Sequence, residues 1–169
     1  MRRIAALFVS MLPFAAFAAD IPDLAFYRDA AEGGLAEVAM GSMAQQQAHS
    51  QSVREFGALM VKDHSAANEK LKAIAESKNI TLPANTSVDE MAAKEKLKAL
   101  SGSSFDKSYI KGMIKDHQED IAEFKKEATS GRDPDARAFA AATLPTLEAH
   151  LKKIQSIAAE AGVSADKAD

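Results

Sequence analysis

Residues 104–131 read SFDKSYIKGMIKDHQEDIAEFKKEATSG, and this stretch decides the fold class. Tyr109, Met113, Ile121 and Phe124 recur at steps of three, four or eight, the spacing that places side chains on one face of an α-helix. Charged residues fill the other positions, and Gly131 supplies a C-terminal stop. The pattern predicts a long amphipathic helix from about Ser104 to Ser130, with His117 at the centre of its apolar stripe.

Downstream, Asp133-Pro134 is an N-cap followed by proline at the first helical position, which opens a further helix to about Glu160. Pro145 lies inside it and should kink it, freeing the carbonyl of Ala141. Upstream, Ser87 and Glu90 have capping-box spacing and open a short helix to about Leu100, closed by Ser101-Gly102-Ser103. Before that, a long helix should start at Ser50 or Ser52, where Ser52 and Glu55 form a second box, and end at Ser77 ahead of Asn79 to Pro83. Val53, Phe56, Met60, Leu71 and Ile74 should face inward. The first helix should span about Pro22 to Gln47 from an N-cap near Asp20, burying Phe26, Leu35, Val38 and Met40. Gly33-Gly34 inside it costs about 1 kcal/mol per residue relative to alanine, so close packing there is the expected compensation.

Short connections join the first helix to the second and the last two to each other, whereas the middle connection is long. Two hairpins joined by a crossover give an all-α, ferritin-like four-helix bundle with a short extra helix in the crossover. The domain should occupy residues 20–160, with 161–169 a tail. Residues 1–19 have the pattern of a signal peptide: Arg2-Arg3, an apolar run from Ile4 to Phe17, and small residues around a cleavage point after Ala18 or Ala19. That run is shorter than the ~20 residues a bilayer crossing needs, so the expected location is the periplasm with no transmembrane segment in the mature chain. The chain has no cysteine, which excludes disulfides and a lipid-bearing cysteine. Lysine and arginine number 21 against 24 aspartates and glutamates with signs interspersed, which gives nucleic acid nothing to bind.

Three of the four histidines share a pattern. His64 follows Phe56 and Met60, His117 follows Tyr109 and Met113, and His150 stands between Leu147 and Ile154. Each is mid-helix on an apolar face, so in a bundle of similar-length helices they meet at one level. His49 sits at a turn and reads as a surface residue. Glu37 is also mid-helix, and an unpaired carboxylate there is costly to bury. Three imidazoles and a carboxylate are an ordinary ligand set for a first-row ion, Zn, Fe or Cu, in a mononuclear site. Asp63 and Asp116, one residue before their histidines, are turned about 100° around the helix axis and read as rim groups. Met60 and Met113 sit one turn before their histidines. Thioether ligation there would favour Cu(I), and core packing is the simpler reading. Ferritin-type iron oxidation requires Glu-x-x-His motifs, yet Val61, Ile114 and Leu147 occupy those positions.

The segments Ala31-Glu32-Gly33-Gly34-Leu35-Ala36-Glu37-Val38, Met60 through Ser65, Gly102 with Phe105-Asp106 and Tyr109, Met113 through His117, Phe139-Ala140, Leu144-Pro145 and His150-Leu151 together resemble the bacterial exported proteins catalogued as domain of unknown function 4142, often labelled outer membrane proteins. The resemblance implies a ferritin-like bundle in the bacterial envelope with Glu37, His64, His117 and His150 at the family's motif positions, and it implies no activity. The expected function is metal binding, as buffering or in envelope stress, with no enzymatic role required. Alternatives are an interaction module for an envelope protein partner, with a metal-free buried His/Glu network, and a mononuclear metal oxidoreductase or hydrolase.

Overall fold

The computed structural model describes residues 21–164 and, among them, five helices: α1 Leu24–Gln47, α2 Gln51–Ser77, α3 Val88–Lys98, α4 Gly102–Ser130 and α5 Pro134–Glu160. The signal-peptide reading falls on residues outside this range. None of the described helices is long and apolar enough to cross a membrane.

Contacts are densest within the pairs α1/α2 and α4/α5. α2 also meets α5, α1 meets α4, and α3 lies against α1 and α4. A parallel bridge between Ala48 and Gly102 sets the start of α4 beside the α1–α2 turn, so α2 and α4 begin at the same end. The segment carrying α3 therefore traverses the length of the bundle, which is the ferritin-like connection expected from the loop lengths. Gly102, at φ 58°, takes the left-handed conformation that turns the chain from α3 into α4.

The local start signals divide into those that form and those that are replaced. Ser87 and Glu90 make both bonds of their capping box: the Glu90 amide donates to Ser87 Oγ at 3.2 Å, and the Ser87 amide donates to Glu90 Oε2 at 2.9 Å. Asp133 caps α5 by accepting from the Asp135 amide at 2.9 Å. The Ser52–Glu55 box does not form. Ser50 is the N-cap without a side-chain bond to the helix backbone, its Oγ hydrogen-bonds instead with Ser52 Oγ at 2.8 Å, and Glu55 accepts from Gln51. Asp106 of α4 does the work from outside, accepting from the amides of His49 at 2.9 Å and Ser50 at 2.7 Å. Its negative charge also complements the positive end of α2. Asp106→Ala should therefore cost about 1–2 kcal/mol, read as a lower urea midpoint. Asp106→Asn, with one oxygen to accept, should fall between the two.

At the opposite end Asp23 replaces the expected cap at Asp20. Its φ of 58° is left-handed, and its Oδ2 accepts from the amides of Arg132 and Asp133, tying α1 to the α4–α5 turn. Tyr27 donates to Asp133 at 3.1 Å, and Lys78 bridges Asp133 and Asp135.

α1 buries Phe26 and Met40 as expected but departs from its expected face between them. Leu35 and Val38 are only half-buried, and the inward side carries Ala31, Gly34, Gly41 and Ala44. A Cβ on Gly41 would stand 2.7 Å from the Gly57 carbonyl, and one on Gly57 would stand 2.6 Å from the Gly41 carbonyl. α1 and α2 thus touch backbone to backbone, leaving room for small residues only. α5 runs unbroken past Pro145. After it, Gly162 at φ 62° reverses the chain and the Val163 amide donates to the Ala158 carbonyl, seating Val163 in the core.

The core has two halves. Val53, Phe56, Met60, Phe105, Tyr109, Met113 and Ile154 fill one, and Phe26, Tyr27, Leu71, Ile121, Phe124, Phe139 and Leu147 fill the other. On α2, α4 and α5 the boundary falls at His64, His117 and His150, and on α1 it falls between Ala31 and Ala36, just before Glu37.

Candidate metal centre

Glu37 and the three histidines are all buried, with His117 at 0% and Glu37 at 2% exposure. His64, His117 and His150 each present one ring nitrogen to a common point, and those three atoms lie within 4.8 Å of one another. Phe56 walls the group with its ring 6.3 Å from those of His117 and His150.

The outer hydrogen bonds decide which nitrogens are free. His117 Nδ1 lies 2.9 Å from the Met113 carbonyl, which can only accept, so Nδ1 carries the hydrogen. Its Nε2 then holds a lone pair, 3.4 Å from His150 Nδ1. On His150 the other nitrogen, Nε2, donates to Asp63 Oδ2 at 3.0 Å, which leaves a second lone pair on Nδ1. His64 Nε2 is buried without a hydrogen-bond partner. Two lone pairs face each other at hydrogen-bond distance, with a third nitrogen close by, and such a cluster is satisfied by a cation at its centre.

A proton is held poorly there. Burial, with the neighbouring imidazoles adding to it, pushes His64 down to about 3 and His117 to about 4. Burial also lowers His150, against the pull of Asp63. In the metal-free protein these rings stay neutral when folded, whereas the unfolded chain takes up protons below about pH 6.5. The unfolded state binds more protons in that window, so stability is lost as pH falls from about 6.5 toward 4. His64→Leu should flatten this acid limb, which urea unfolding at several pH values would read.

Glu37 stands apart from the three nitrogens. Its Oε1 is 3.5 Å from His117 Nδ1, the nitrogen already bonded to Met113, and neither carboxylate oxygen has a hydrogen-bond partner. Burial and the charges of Asp120, Asp116 and Glu90 hold its pKa well above the usual carboxylate range. The two aspartates that precede histidines have different surroundings. Asp63 reaches His150 across the α2/α5 contact, whereas Asp116 joins Glu37 in a cavity on the α1/α3/α4 side, where burial pushes it up to about 6. Met60 and Met113 are fully buried in the core half that begins at the α1–α2 turn. The sequence reading passed over Tyr109 as a polar group. Its buried hydroxyl has no partner, and its pKa is raised by burial and by the charge of Glu37. Asp120, pushed up to about 7, and the cavity-facing role of Glu90 also went unread, since both look like ordinary surface charges.

No curated protein matches the chain. Among solved structures it is similar to a Streptomyces coelicolor DUF305 protein described as secreted, with 16% identity and a TM-score of 0.74 over 89% of this chain and 100% of that one. It is also similar to CopM in its Cu(I)-bound form, at 18% identity and a TM-score of 0.69 over 83% and 98% of the two chains. The Ag-bound form of CopM, at 17% identity and a TM-score of 0.66, covers 82% and 96%. At these identities the likeness establishes the helical fold. Over residues 12–157 the chain matches, and belongs to, the family described as domain of unknown function DUF4142.

Proposed function

We propose that this protein is an exported, periplasmic metal-binding bundle that holds one transition-metal ion at His64, His117 and His150, buffering it or limiting its toxicity under envelope stress. The observation that carries the reading is the convergence of three buried ring nitrogens whose hydrogens are directed elsewhere or whose partners are missing. Three neutral imidazoles suit copper, zinc or iron, and copper is the first candidate because CopM of similar fold has been crystallised with Cu(I), Cu(II) and Ag. Asp63 fixes the orientation of His150 and raises its basicity, as carboxylates behind metal-bound histidines do. In this reading Glu37 acts on the ion through His117. Export of the mature chain agrees with the description of the DUF305 protein as secreted.

Metal analysis of untagged protein, purified without added metal, tests the proposal. The expected result is one copper or zinc ion per chain and a melting temperature that rises with added metal. Absence of stoichiometric metal, together with no thermal shift on adding Cu, Zn or Fe, would overturn it.

A further inference from the structure

A cavity of about 310 Å³ opens between α1, α3 and α4, separate from the point where the three histidines meet. Glu37, Glu90, Asp116 and Asp120 line it. We propose that this cavity is a second site, which binds a hard divalent cation of the calcium or manganese class through carboxylate oxygens.

Glu37 points to a ligand independently of the number of acids. It is 2% exposed, lines the cavity, and has no hydrogen-bond partner on either oxygen. His117 Nδ1, 3.5 Å from its Oε1, already serves the Met113 carbonyl. A carboxylate buried without a partner must either keep its proton or be paired with a cation, and the cavity beside Glu37 has room for the cation. Lys115 is the one basic residue in the lining, and its Nζ is engaged with Glu119 at 3.2 Å.

Two further carboxylates converge on the same space. Glu90 spends Oε2 on the Ser87 amide, so the capping box of α3 fixes its side chain and leaves Oε1 toward α1. There the bare Cα of Gly33 forms the floor: a Cβ at that position would lie 3.8 Å from both Glu90 Oε1 and Asp120 Oδ1. These two oxygens therefore approach one spot from different helices, α3 and α4. Oxygen-only donors of this kind prefer calcium, magnesium or manganese, whereas the imidazole cluster prefers softer ions, so the two sites would differ in what they hold.

The test uses the full mature protein, freed of metal by chelation and titrated calorimetrically with Mn²⁺ and with Ca²⁺. One ion per chain is expected. Asp120→Asn and Glu37→Gln should each weaken binding about tenfold or more, and His64→Ala should leave it within about threefold. Without cation, Asp120→Asn should melt at the same or a higher temperature, because like charges are relieved. Added Ca²⁺ should stabilise the parent and not the variant. Should Glu37→Gln fail to fold, Asp116→Asn takes its place. The proposal is overturned if neither ion binds at millimolar concentration, or if binding ignores the carboxylate variants. It is equally overturned if binding is lost in His64→Ala but kept in Asp120→Asn, which would put the ion among the histidines. Copper or zinc binding unchanged in Asp120→Asn keeps this test separate from that of the histidine site.

Discussion

His117→Ala is expected to reduce transition-metal affinity at least about a hundredfold, measured by competition with a chromophoric chelator. His117 is the most deeply buried of the three rings, with Nδ1 held by the Met113 carbonyl so that the Nε2 lone pair points toward His150 and the ion position. Removing it leaves two ligands from adjacent helices and a void, so circular dichroism must first show that the variant is folded. Asp63→Ala provides a graded comparison. It leaves every ring in place but frees His150 to choose either tautomer, and should cost about tenfold to a hundredfold in affinity. Met60→Leu, in the apolar core, should shift affinity by no more than a few fold. Unchanged stoichiometry and affinity in His117→Ala would refute a histidine-held ion. A normal Asp63→Ala would refute only its orienting role.

The largest effect on stability is expected at Gly57. Elsewhere in a helix, alanine for glycine gains about 1 kcal/mol. At Gly57 the new Cβ would meet the Gly41 carbonyl at 2.6 Å and Ala44 Cβ at 2.8 Å, neither of which can swing aside. The helices must separate along the contact that holds α1 to α2. A net loss of about 2–3 kcal/mol should follow, seen as a reduced urea midpoint. Gly34→Ala is the control: its Cβ would meet the end of the Asn68 side chain, which can rotate, so the net change should stay within about 1 kcal/mol.

These cases show where sequence reasoning reaches and where it stops. Asp133-Pro134 and Ser87–Glu90 start helices through bonds to residues two or three positions away, and both were legible. Ser52–Glu55 has the same spacing, yet Asp106, more than fifty residues along the chain, takes over the end of α2, and no local pattern announces that. Depth along a helix was readable for Glu37, His64, His117 and His150, since counting turns fixes it. Rotation about the axis was readable for the three histidines from their apolar stripes, and not for Glu37. Glu37 reached the right level but faces the far nitrogen of His117 and an acidic cavity. The runs Met60-Val61-Lys62-Asp63-His64 and Met113-Ile114-Lys115-Asp116-His117, alike in four of five residues, make the same point. Asp63 and Asp116 hold equivalent places in them, and only the neighbouring helix, α5 for one and α1 with α3 for the other, decides that the first orients a histidine. On α1 the reading held for Phe26 and Met40 and misled at Leu35 and Val38, because the face against α2 carries Gly41 and Ala44, where backbone proximity excludes bulk.

The division of the histidines between the hairpins has a mechanical meaning. One comes from α2 and two come from α4 and α5, and the pair Asp63 and His150 that spans the gap is 87 positions apart in the chain. Contacts between the hairpins are sparser than those within them. An ion held at this level would therefore act as a reversible staple across the weakest seam of a cysteine-free protein. Closing so long a loop in the unfolded chain is an entropic constraint on the order of 4 kcal/mol when the link is a disulfide. Loading and unloading the ion would then tighten and loosen the union of the two hairpins, a change that amide hydrogen exchange on α2 and α5 would follow directly.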